Sequence, residues 1–102
     1  MSDTTKTPPT LEALRARRDE ILRLAEQHGV FNVRVVGSVA RDEATPTSDV
    51  DLLMTIPPRS IFDLVGLWLD LQDLLGCPVS IIPDDAPDEA FLQSILEDAV
   101  PL

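Results

Sequence analysis

Two short motifs, separated by ten residues, constrain this chain more than any other part of its sequence. Gly37 and Ser38 follow a strand-like run at 31–36, and Asp49 and Asp51 stand at the head of a second apolar run. Side chains alternate in direction along a strand, so the two aspartates are predicted to leave the same face, roughly 6–7 Å apart. Two carboxylates at that separation repel each other unless a cation lies between them.

The paired carboxylates and the glycine turn together predict a metal site beside a phosphate site. Oxygen ligands on a partly open site suit Mg²⁺, which keeps several waters and takes further oxygens from substrate phosphates. The turn at Gly37 and Ser38 adds backbone N–H groups that can approach a phosphate without interference from a Cβ atom. Either motif alone is more often an ordinary turn or an exposed strand start, but the two motifs together at this spacing favour metal and phosphate binding.

The rest of the chain predicts one small α/β (α+β) domain. Residues 1–9 are polar and are expected to form a disordered tail, and residues 10–102 are expected to form a single domain. The expected elements are a helix capped by Thr10 and running to about 27, and strands over 31–36 and 50–56. They are followed by a helix over 60–75 that Gly76 ends, a strand over 79–82 and a helix over 88–98. This order predicts a small mixed β-sheet with helices packed on one side.

The helix expected over 60–75 carries the strongest apolar stripe. Ser60 and Asp63 predict a capping box at its start. The residues that share the stripe are Ile61, Leu64, Val65, Trp68, Leu71 and Leu75. Trp68 is therefore expected in the core rather than on the surface as a stacking platform for a base.

The charge of the chain is strongly acidic and unevenly placed. The net charge is −10, all eight basic residues lie at or before Arg59, and residues 60–102 contain nine acids. An acidic body repels nucleic-acid phosphates, so extended nucleic-acid binding is not expected. The charge suits a basic protein partner or a divalent cation, and solubility alone explains it equally well. No apolar run reaches the length of a membrane span and no secretory signal is evident, so the expected location is cytoplasmic.

The motif block resembles the signature of the DNA polymerase β-like nucleotidyltransferase superfamily, and most closely that of the minimal nucleotidyltransferase (MNT) antitoxins partnered with HEPN toxins. Gly37, Ser38, Asp49 and Asp51 are all in register with that signature, and Arg41 fits its basic continuation. The resemblance implies a nucleotidyltransferase-like fold, with Gly37 and Ser38 holding ATP or another nucleoside triphosphate. It also implies that Asp49 and Asp51 are catalytic and bind Mg²⁺ or Mn²⁺. Arg41 is predicted either to neutralise phosphate charge or to be an exposed loop arginine.

One position departs from the family pattern. A third carboxylate is expected on a strand that follows a Leu-Gly turn, and Ser80 stands there in this chain. A hydroxyl can neither share the charge of a metal as a carboxylate does nor act as a general base near neutral pH. Asp84 and Asp85 are possible substitutes from the following loop.

Two functions follow from the resemblance and this departure. In the first, the chain is an enzyme that moves an NMP group, AMP in particular, from a nucleoside triphosphate to a protein hydroxyl. The acceptor would be a tyrosine of a HEPN-type toxin, and the chain would be its antitoxin. In the alternative, the chain is a catalytically impaired antitoxin or adaptor that neutralises its partner by binding alone.

Overall fold

The structure, a computed structural model, describes residues 8–102, so most of the tail predicted for 1–9 lies outside the described residues. In chain order the elements are α1 (Leu11–Ala16), α2 (Arg18–Gln27), β1 (Phe31–Val36), α3 (Gly37–Ala40), β2 (Val50–Thr55), a 3₁₀ helix (Pro58–Asp63), α4 (Leu64–Leu75), β3 (Val79–Pro83), α5 (Glu89–Asp98) and β4 (Val100–Pro101). The predicted small mixed α/β domain is confirmed.

The N-terminal helix begins as predicted but does not continue unbroken. The side chain of Thr10 accepts a hydrogen bond from the backbone N–H of Ala13 at 3.0 Å and so caps α1. The chain leaves the helical conformation at Arg17, whose N–H bonds to Leu14 three residues back, and α2 starts at the next residue. The expected single helix over 10–27 is therefore two helices.

The four strands are arranged in the order β3-β2-β1-β4. β2 pairs in parallel with β3, whereas β1 pairs antiparallel with β2 and β4, so the sheet is mixed. The strand β4 was not predicted, because a two-residue strand ending in Pro101 shows no alternating pattern. The Arg15 guanidinium donates to the carbonyl oxygen of Pro101 at 2.9 Å and ties this edge strand to α1.

The main core lies between one face of the sheet and the helices α2 and α4. Buried residues of this core include Val35 on β1, Leu52 on β2, Ile21 on α2 and Leu67 on α4. The helix α5 contacts β1 and α3 but contributes no buried residue. No helix formed by residues 8–102 combines the length and apolar character that crossing a bilayer requires.

The segment 58–75 differs from its prediction in two ways. It starts as a 3₁₀ helix with no side-chain cap, so the capping box at Ser60 and Asp63 is not formed, and Ser60 is buried. The residues of α4 that enter the core are Leu67 and Leu71, whereas Trp68 is exposed. The placement of Trp68 in the core was therefore wrong. α4 is apolar around most of its circumference, so its sequence period could not decide which face would be buried.

Candidate active site

The turn after β1 brings Gly37 directly against Asp51. β1 and β2 are antiparallel, with Val36 and Asp51 as paired residues, so the chain leaves β1 for α3 beside this carboxylate. Gly37 has a φ of 73°, in the left-handed region that favours glycine. A Cβ atom at this position would collide with Oδ2 of Asp51. The position therefore requires glycine for its backbone conformation and for the space beside the carboxylate.

The Asp51 carboxylate carries a charge that its surroundings do not fully compensate. The residue is half-buried on β2, and this burial is the main cause that raises its pKa above the ordinary value. Repulsion from Asp49 raises the pKa further, whereas a hydrogen bond with Ser80 and attraction to Arg41 oppose the shift. Asp49 is exposed immediately before β2, two positions from Asp51. A cation between them would relieve both burial and repulsion.

Ser80 lies beside Asp51, where the sequence analysis expected the missing carboxylate. Ser80 on β3 is the parallel partner of Asp51 on β2, and paired residues project from the same face of a sheet. The hydrogen bond between the Ser80 hydroxyl and Asp51 agrees with this placement. Ser80 therefore does not point into the core of the domain.

Asp84 cannot substitute for the missing carboxylate. Its Oδ2 accepts hydrogen bonds from Arg34 at 2.9 Å and from Thr55 at 2.5 Å. Thr55 stands four residues along β2 from Asp51, a separation of about 13 Å along a strand. Among residues 8–102, no three His, Cys, Asp or Glu side chains come together to hold a metal. The candidate site therefore offers two carboxylates and a hydroxyl.

The other two predicted residues lie on α3 and just after it. Ser38 is half-buried, and its carbonyl oxygen accepts a hydrogen bond from the Glu43 N–H at 2.8 Å. Arg41 is exposed and donates to Glu43 at 2.8 Å and to Asp98 at 2.7 Å. These two hydrogen bonds raise the pKa of the guanidinium above its ordinary value. Arg41 is thus bound to two carboxylates, and it would have to exchange one of them for a phosphate to contact a nucleotide.

Two of these ion pairs were not predicted from the sequence. Asp98 lies at the end of α5, 57 positions from Arg41, and no local pattern links the two. The ion pair of Arg34 with Asp84 has a weak signal, since a lone arginine interrupts the apolar residues of β1. The residues present fit a divalent cation, because a half-buried carboxylate with a raised pKa and a second acid share one small site.

The nucleotidyltransferase domain family matches residues 18–101 of this chain. The match includes the turn at Gly37, both aspartates and Ser80. The chain belongs to this family. Enzymes of the family generally use a nucleoside triphosphate and a divalent metal.

A named relative of this nucleotidyltransferase is found in Methanocaldococcus jannaschii. The "Putative protein adenylyltransferase MJ0435" is 33% identical over 82 residues, which cover 79% of this chain and 88% of the relative. The solved structure of a "putative minimal nucleotidyltransferase" is 42% identical, with a TM-score of 0.79, over 92% of this chain and 97% of the other. A toxin–antitoxin crystal structure with AMP-PNP contains a chain of the same fold, with 15% identity and a TM-score of 0.64 over 81% of this chain and 69% of the other.

Replacing Ser80 with aspartate tests the consequence of the missing carboxylate. The new carboxylate would lie beside Asp51, so it should increase metal affinity and raise nucleotidyl transfer by about 10-fold or more. Without metal, a third acid next to Asp49 and Asp51 should lower the unfolding midpoint in urea. Ser80→Asn is the matched control, because asparagine has nearly the shape of the introduced aspartate without its charge. A Ser80→Asp protein with unchanged metal affinity and unchanged transfer would contradict this assignment.

Proposed function

We propose that this nucleotidyltransferase transfers AMP from ATP, with Mg²⁺ or Mn²⁺, to a tyrosine hydroxyl of a HEPN-type toxin and so acts as the antitoxin. The observation that carries the proposal is the juxtaposition of the Gly37 turn with the half-buried Asp51 carboxylate. A metal-bound triphosphate needs backbone N–H groups that can approach its phosphates and a carboxylate that can bind its metal. The Gly37 turn and Asp51 offer these two features. We further propose that the protein acts in the cytoplasm, as its sequence predicts.

The relatives support the acceptor and the partner in this proposal. One relative at 33% identity carries the name of a protein adenylyltransferase, which implies a protein as acceptor. Two toxin–antitoxin crystal structures contain chains of the same fold, one with AMP-PNP and one named MntA-HpeT. Their identities to this chain are 15% and 16%, so for the partner we rely on the fold they share together with the acidic surface of this chain.

In this proposal each residue of the site has a defined part. When bound, Mg²⁺ offsets the negative charge that develops on the transferred phosphoryl group and on pyrophosphate. Asp49 and Asp51 hold the metal, and the backbone of Gly37 and Ser38 positions the terminal phosphates. Arg41 contributes positive charge after it exchanges a carboxylate for a phosphate oxygen. The new bond joins the acceptor oxygen to the α-phosphorus, and the bond from that phosphorus to the pyrophosphate oxygen breaks.

The serine at position 80 favours a tyrosine as the acceptor. Ser80 has no basic form near neutral pH, so it cannot take the proton of the attacking hydroxyl. A phenol, with a pKa of about 10, releases its proton to water far more readily than an aliphatic hydroxyl does. A phenolic acceptor therefore depends less on a general base, and it suits a site that lacks a third carboxylate.

Intact-mass spectrometry of a co-expressed toxin tests the proposal. The toxin should gain the mass of one or more AMP groups with the wild-type chain, and the gain should disappear with Asp49→Asn. Glu97→Gln, an exposed acid on α5, is the control and should leave the modification intact. A toxin that is neutralised but not modified would overturn the proposal. That result would favour the binding-only antitoxin, to which the absence of a third carboxylate also points.

A further inference from the structure

An apolar surface lies on the 3₁₀ helix and α4, away from the candidate active site. Its members are exposed large side chains, which we call the α4 surface: Ile61, Phe62, Val65, Trp68 and Leu69. Phe62 is 96% exposed and Val65 is 64% exposed. Single exposed apolar residues are ordinary, but five within nine positions form a patch of the kind that marks an interaction site.

A groove runs beside this surface to the edge of the sheet. It has a volume of about 330 Å³ and is lined by Ile56, Leu64, Val65, Trp68, Ile81 and Pro83. The Trp68 indole N–H donates to the carbonyl oxygen of Val79 at 2.6 Å, which fixes the ring against β3. Six apolar side chains without converging polar groups do not orient a small polar ligand, whereas they fit the apolar side chains of a protein.

The charges on the elements that carry the α4 surface indicate the kind of protein. Asp63 and Asp70 on the 3₁₀ helix and α4 bind the two ring nitrogens of His28, at 2.6 and 3.4 Å, yet both carboxyl groups remain more than half exposed. Directly after Pro83, Asp85 is exposed, whereas its neighbour Asp84 is paired with Arg34. Arg59 on the 3₁₀ helix is a basic neighbour of the α4 surface. Residues 60–102, however, contain nine acids and no lysine or arginine, so acidic side chains predominate there.

We propose that the α4 surface binds a basic protein, whose apolar side chains enter the groove while its lysines and arginines meet the surrounding aspartates. A second copy of this chain does not fit, because each copy has a net charge of −10 and would bring the same acids to the interface. The identification of this partner with the toxin rests on the proposed function. The surface itself rests on the exposed residues and their charges.

The placement of the groove leaves the nucleotide site open. Ser80 and Ile81 are neighbours on β3, so their side chains leave opposite faces of the sheet. Ile81 lines the groove, whereas Ser80 lies beside Asp51 on the other face. Among residues 8–102, β3 is one of the two edge strands of the sheet and pairs with β2. A partner on the α4 surface therefore lies next to this edge, and a segment of it can cross the edge toward Asp51.

Two substitutions on the α4 surface test the proposal. Val65→Glu and Phe62→Glu should each weaken calorimetric binding to the HEPN-type toxin of the proposed function by 10-fold or more, because each places a charged carboxylate where the apolar side chains of the partner pack. The native side chains are exposed, so the unfolding midpoint should change little. Leu96→Glu on α5 is the matched control, since Leu96 is 46% exposed and lies outside the surface.

Trp68 gives an independent measurement, because it is the only tryptophan and the chain contains no tyrosine. Its emission should shift to shorter wavelength when the toxin binds and should not change with Mg²⁺ and ATP alone. Unchanged toxin affinity in both surface variants would overturn the proposal, as would a wild-type dimer in analytical ultracentrifugation that Val65→Glu dissociates. A toxin that is bound through this surface but not modified would contradict only the proposed transfer. A toxin that is modified equally by Val65→Glu would contradict only the surface.

Discussion

Replacing Asp51 with asparagine is expected to reduce nucleotidyl transfer about 100- to 1,000-fold, the usual effect of losing one group that stabilises transition-state charge. The fold should remain, because the amide occupies the same space beside Gly37 and can still hydrogen bond with Ser80. Metal-supported ATP binding, measured by calorimetric titration, should weaken strongly in Asp51→Asn and in Asp49→Asn. Glu97→Gln provides a charge-matched control away from the site.

The same variant should behave differently in unfolding experiments without metal. Burial raises the pKa of Asp51 in the folded protein, so the folded protein binds the proton of this carboxyl group more tightly than the unfolded chain does. The stability contributed by the protonated group is complete below the ordinary aspartate pKa and is lost as the pH rises through the raised value. At neutral pH and without metal, Asp51→Asn should therefore unfold at a higher urea concentration than the wild type. Equal ATP affinity in the two proteins would contradict the assignment, and so would a less stable metal-free variant.

The second large effect is expected for Gly37→Ala. The added Cβ would collide with the Asp51 carboxylate, and the alanine would also have to adopt the left-handed conformation at a φ of 73°. Together these should destabilise the protein by about 1–3 kcal/mol. They should also reduce transfer about 100-fold, because both the phosphate-facing turn and Asp51 would shift.

Gly76→Ala separates the two causes. Gly76 ends α4 at a φ of 69°, but a Cβ there would have no atom within 4 Å. Gly76→Ala should therefore lose only about 1 kcal/mol of stability, from the strained backbone conformation, and should keep its activity. Urea unfolding and ATP titration of both variants complete the comparison. If the two glycine variants lost activity equally, the contact of Gly37 with Asp51 would have no special role.

The local elements were largely predictable, because their signals lie within short stretches of sequence. The strand at 31–36, the Thr10 cap and the end of α4 at Gly76 each depend on neighbouring residues that the sequence displays directly. The motif block was also predictable, because residues separated by a fixed spacing on adjacent strands come together whenever those strands pair. The juxtaposition of Gly37 and Asp51 belongs to this group.

The tertiary structure alone decided which surfaces are buried and which distant charges meet. α4 has enough apolar residues for two faces, and only its packing on α2 and β3 turned Leu67 inward and left Trp68 exposed. The ion pairs of Arg41 with Asp98 and of Arg34 with Asp84 likewise join positions 50 or more residues apart. The physical reason is the range of the interactions. Backbone conformation and capping depend on near neighbours along the chain, whereas burial and ion pairing depend on elements that only folding brings together.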